Sequence, residues 1–134
     1  MSGRDVEAAN KALVLAHFEA FVNQRDLAAI DRNMAADFCD HDGPGGKPAG
    51  IAEDRAMMQA MHERLPDLKV VVHDAIAEDD KVAVRNVWTA TDARTGKQMA
   101  FHGFVLWRIR DGKIVERWAT VTPLHEIAAS GITW

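Results

Sequence analysis

Several features that would narrow the class of this protein are scarce in its sequence or missing from it. A single cysteine, Cys39, excludes an internal disulfide. No apolar run approaches the length needed to span a bilayer. Acidic and basic residues are interspersed, the net charge is −4 and there is no basic stripe, so nucleic acid is not an expected partner. There are no repeats or low-complexity tracts, and no His/Cys/Asp/Glu set has metal-site spacing. The opening "MSGRDVEAANKALVL" places Asp5 and Glu7 ahead of its apolar part and offers no small-residue cleavage site. It reads as a helix start and not as a signal peptide, and a cytoplasmic location is the expectation.

What is present suits one soluble domain over residues 1–134. The composition is 48% hydrophobic and 27% charged, and the length can bury a core without staples. The front of the chain is helical by period. Over 5–24, Val6, Leu13, Ala16, Ala20 and Phe21 recur at helical spacing, and Leu15, Phe18 and Val22 widen the stripe, which predicts packing on two sides. Asp26 is placed to cap a short helix, "LAAIDRNMA". The glycines and prolines of "DFCDHDGPGGKPAG" predict a loop, with room for a short strand near 38–42. A third helix, 51–65, sets Ile51, Met58, Met61 and Leu65 on one face and stops at Pro66.

From residue 68 the period changes. "LKVVVHDAIAE", "KVAVRNVWTATD", "KQMAFHGFVLWRIR" and "KIVERWATVT" are rich in β-branched and aromatic residues and are separated by "DD", "ARTG" and "DG". Such short connections predict an antiparallel meander. Three helices followed by long strands give an α+β domain, in which a strongly curved sheet and its helices form a cone-shaped barrel around a pocket.

The stretches "LPDLKVVVHDAIAEDDKVAVRNVWTATD" and "FHGFVLWRIRDGKIVERW", with His41 and Gly50 in the glycine-rich loop, resemble the SnoaL-like polyketide cyclases of the nuclear-transport-factor-2-like superfamily. The resemblance spans roughly residues 10–131. It implies the cone fold, a hydrophobic pocket, no metal or organic cofactor, and a homodimer formed through the sheet face. It also implies a small, partly apolar carbonyl or aromatic ligand and acid–base cyclisation or isomerisation. In those cyclases the strand after "GKIVE" reads His-Trp-Asp, and the Asp is the acid–base group. Here the His falls on Arg117 and the Asp on Ala119, and an acid common three residues later falls on Thr122. The aldol mechanism therefore cannot be transferred. A non-catalytic small-molecule binder is the alternative.

The candidate residues follow from strand parity and chemistry. Val115, Arg117, Ala119 and Val121 share the face that the resemblance turns inward. Arg117 there offers a rigid fork of donors, either to a ligand oxygen or to an internal Asp. His41 and His102 are the candidate neutral bases. Arg85 is left between pocket and dimer interface, with Asn86 as the polar pocket group if the other face is inside. Trp88, Trp107, Met58 and Phe18 are candidate pocket walls. His17 reads as a buried, satisfied imidazole. His62, His73 and His125 read as exposed. Cys39 has nothing near it in sequence to activate it.

Overall fold

The computed structural model describes residues 2–123. Helix α1 (Gly3–Phe18) begins in a capping box: the Ser2 hydroxyl accepts from the Asp5 N–H at 3.2 Å, and the Asp5 carboxylate accepts from the Ser2 N–H. It runs into a π turn over Glu19–Asn23, where the Gln24 N–H reaches the Glu19 carbonyl at 2.9 Å. The wider turn brings His17, Phe18, Phe21 and Val22 to one buried side. The expected packing on two sides is not found, because Val6 and Leu15 are exposed. One stripe is enough for a helix lying on a sheet.

Helix α2 is confined to Ala29–Asn33, and Asp26 does not cap it. Its carboxylate instead takes a bond from Arg32 at 2.6 Å. The residues expected to extend that helix form strand β1 (Met34–Asp40). Pairing with a strand from the far end of the chain overrides the weak local preference of "MAAD". Helix α3 (Ile51–Arg64) ends at Leu65, just before Pro66, as its sequence predicts. Four long strands follow: β2 (Lys69–Glu78), β3 (Lys81–Thr91), β4 (Gln98–Arg110) and β5 (Lys113–Pro123). Asp111 and Gly112 both take positive φ (52° and 74°), the geometry of a tight hairpin turn. The helical turn expected at the end of the chain, and His125, lie outside the described residues.

The sheet order is β1-β5-β4-β3-β2, antiparallel except for the parallel β1–β5 edge. A bulge in β5 opposite Arg108 and Ile109 buries both Ile114 and Val115 and leaves Arg117 paired with Trp107. The helices cover one face, whose core includes Val14, Phe18, Ile30, Val82, Trp107 and Ile114. Among the described residues no helix is long and apolar enough to cross a membrane.

His62 departs from expectation. It is buried, and its Nε2 donates to the Val22 carbonyl at 3.0 Å, tying α3 to the π turn. Asn86 is fully buried and accepts from the Trp88 indole at 2.9 Å. Its cross-strand partner is Gly103, where an added Cβ would stand 2.4 Å from Asn86 Oδ1. Gly103→Ala is therefore expected to cost about 1–3 kcal/mol through overpacking. Urea unfolding of that variant would show the loss as a lower midpoint, whereas an unchanged midpoint would mean that Asn86 has another place to go.

Candidate functional site

A cavity of about 290 Å³ lies between the sheet and the helices, lined by residues from α1, α2, β1, α3 and the strands. Its walls are apolar and aromatic, with Phe18, Phe21, Met58, Trp88, Phe101 and Trp107 prominent. Its polar groups are few: His17, Asp40, Asp42, Asp54 and Arg117. An apolar enclosure with a handful of convergent polar side chains is the usual form of a small-molecule site.

Arg117 is inward, and a carboxylate meets it. Its Nη1 donates to both oxygens of Asp40 at 2.9 Å, and more weakly to the Asp42 carbonyl at 3.5 Å. Asp40 is completely buried, and its Oδ1 also accepts from the Asp42 N–H at 3.0 Å. Chain topology places the pair: Asp40 and Arg117 are register partners on the parallel β1–β5 edge. Arg117 also lies over the Trp107 ring, with its guanidinium carbon 5.7 Å from the ring centroid. Of the two partners expected for the fork, a ligand oxygen or an internal Asp, the internal Asp is present and largely neutralises its charge.

Asp54 completes the group. It projects from the first turn of α3, one turn before Met58, and is buried. Burial, then a hydrogen bond with Asp40, then the Asp40 charge push its pKa up to about 8, while Arg117 pulls the other way. At neutral pH Asp54 therefore keeps its proton, hydrogen-bonded to Asp40 beside a guanidinium. Asp54 Oδ1 is enclosed and has no hydrogen-bond partner among the described residues. His17 is 3% exposed, and burial, aided by the charges of Arg117 and Arg32, lowers its pKa to about 4.

Of the residues singled out from sequence, Phe18, Met58, Trp88, Trp107 and Arg117 line this cavity. His41, His102 and Arg85 do not. His41 follows the inward Asp40, so strand alternation turns it to the outer face. There its ring stacks on Trp118 at 4.8 Å and its Nε2 lies 2.7 Å from Glu116. His102 is likewise out of phase with the inward Phe101 and packs edge-on against Phe104 at 4.9 Å. Arg85 pairs with Asp74 at 2.7 Å on the same outer face. The expected pairing of His41 or His102 with Arg117 is therefore not assembled, and the acids that meet Arg117 come from β1 and α3. Asp40 escaped notice inside an Asp-His-Asp run beside glycines. Asp54 carried a readable signal, because it stands four residues before Met58 on the buried face of its helix.

The raised Asp54 and lowered His17 values each add a slope to the dependence of stability on pH. Folded Asp54 keeps its proton from the ordinary carboxyl range up to about pH 8, so this group's contribution falls as pH rises through that window. Buried His17 stays neutral down to about pH 4, so its contribution falls as pH drops from about 6.5 to 4. Between pH 6.5 and 8 only the Asp54 slope remains. Asp54→Asn is expected to flatten the decline of the unfolding free energy there. Parallel curves for wild type and variant would contradict the shared proton.

The family model for SnoaL-like polyketide cyclases matches residues 12–124. Among solved structures, AclR, a putative hydroxylase from Streptomyces galilaeus, is similar at 28% identity and TM-score 0.79, over 93% of this chain and 86% of that one. IdmH, a putative polyketide cyclase from Streptomyces antibioticus, is similar at 25% identity and TM-score 0.78, over 92% of this chain and 99% of that one. A putative SnoaL-like polyketide cyclase from Jannaschia sp. CCS1, at 21% identity and TM-score 0.78 over 92% and 90% of the two chains, shares the fold. No curated protein matches this chain. With the match covering most of its length, and with the cone of three helices on a five-stranded sheet in place, the chain belongs to the SnoaL-like polyketide cyclase family.

Proposed function

We propose that the cavity binds a small, largely apolar aromatic ketone and enolises it for ring closure or isomerisation, with the Asp40–Asp54 pair as the acid–base group. The observation that carries this reading is the gathering of two buried carboxyls, Asp40 and Asp54, beside Arg117 on the cavity wall. The Asp54 carboxyl takes a proton from the carbon next to the carbonyl while its own proton passes to Asp40. Neutralising Asp40 frees the Arg117 charge to face the new enolate, so no net charge is created in the apolar site. In ring closure the enolate carbon bonds to a second carbonyl of the same molecule, and the proton returns to that oxygen.

This assignment moves the acid–base role away from the position of Ala119, where the family resemblance would put it, and away from His41 and His102. It can be checked without the natural substrate. 1-Tetralone in deuterated buffer should gain deuterium at its α-carbon faster with the protein than without. Asp54→Asn should lower that acceleration by about 100-fold or more, and Arg117→Ala should also lower it, with a loss of stability from the unpaired Asp40. An exchange rate equal to that of buffer would rule out enolisation. It would leave the second reading, a non-catalytic binder, which Ala119 at the family's acid position favours.

The outer sheet face supports a homodimer as part of the same proposal. Ile76 is 68% and Phe104 56% exposed there, close to Arg85 and Trp118 around an open groove. A second copy of the chain is the expected occupant. Phe104→Glu is expected to shift the sedimenting species from dimer to monomer. A monomeric wild type at micromolar concentration would remove this part of the reading.

A further inference from the structure

We infer that His17 is a further catalytic residue, a neutral imidazole whose Nε2–H donates a hydrogen bond to the carbonyl oxygen of the ligand. The inference deepens the proposed enolisation and rests on it.

The geometry fixes both the tautomer and the free nitrogen. Asn33, at the end of α2, brings its Nδ2 to 2.9 Å from His17 Nδ1. An amide NH₂ can only donate, so Nδ1 is the accepting, unprotonated nitrogen, and the ring proton sits on Nε2. Nε2 has no hydrogen-bond partner among the described residues. His17 lines the cavity, so with Nδ1 taken by Asn33 the Nε2–H is the ring group left for a ligand there. The ring is held in place, stacked on Phe21 at 5.1 Å and edge-on to Trp107 at 6.0 Å.

The surroundings suit a neutral donor. Burial of the ring, and then the charge of Arg117, oppose a second proton on it. A neutral imidazole places no extra charge beside Arg117, yet it can strengthen its bond as negative charge grows on the carbonyl oxygen. The ligand class follows. It must carry an acceptor oxygen within an aromatic or alicyclic frame, and a hydrocarbon of the same shape lacks the group that His17 would recognise.

The test pairs 1-tetralone with tetralin, which has the same frame without the carbonyl. Affinities are measured by ligand-observed NMR for wild type and for His17→Phe, which keeps a flat ring against Phe21. The expected result is about a tenfold loss of 1-tetralone affinity in the variant, as for one hydrogen bond, with tetralin unchanged. Equal losses for both compounds, or no loss for either, would overturn the role of His17 and leave the pocket reading standing. Failure of both compounds to bind wild type would overturn the two together. Nitrogen-15 NMR of the wild-type histidines needs no variant. A protonated Nε2 and bare Nδ1 on His17 at pH 6–8 is expected, and a proton on Nδ1 would refute the assignment.

Discussion

The ion pair between Asp40 and Arg117 is the interaction on which the site depends. It closes the parallel edge where β1 meets β5, at the last register pair of those strands. A guanidinium turned into an apolar cone would be costly without a carboxylate, and a fully buried carboxylate equally so without a cation. Each meets the other at 2.9 Å. The loop beyond β1 adds its own bonds. The Asp42 N–H donates to Asp40, and the Asp42 carboxylate accepts from the Ala119 N–H at 2.7 Å. The edge strand, the glycine-rich loop and β5 are thereby fastened at one point. Asp54 reaches the same point from α3 and adds a third ionisable group where only one compensated pair of charges is tolerated. Its raised pKa follows from that position.

The chemistry proposed for the cavity is a consequence of this arrangement. A lone arginine would hold an anion, and a lone aspartate at its ordinary pKa would be a weak base. Two carboxyls sharing a proton next to a guanidinium can accept and return a proton while the total charge of the site stays constant. The aromatic walls contribute by exclusion, because each electrostatic term is stronger where water is absent. His17 sits on the helix side of the same space, kept neutral by burial and by the cation opposite.

Much of the fold was legible because it rests on period and turn chemistry. The four long strands, the Asp-Gly hairpin and the third helix all carry local signals that agree with their tertiary roles. Strand β1 does not. "MAADFCD" has no clear alternation, and pairing with β5 across the length of the chain decides its form. Strand parity put Arg117 inward, but His41 and His102 were weighed for the chemistry of imidazole and not for phase. His41 is one residue out of step with Asp40, and His102 one residue out of step with Phe101. The partner of Arg117 comes from 77 residues earlier, and no single-strand pattern carries that information. The Asp54–Met58 spacing puts Asp54 on the buried side of its helix, but does not say what it meets there.

The central claim is that Asp40 and Asp54 share one proton at neutral pH. Carbon-13 NMR of labelled aspartate carboxyls, followed from pH 4 to 10, tests it most directly. One aspartate resonance titrating near pH 8, absent in Asp54→Asn, is expected. If every aspartate carboxyl titrates in the ordinary range near 4, the pair holds no proton at pH 7 and the acid–base role assigned to it fails.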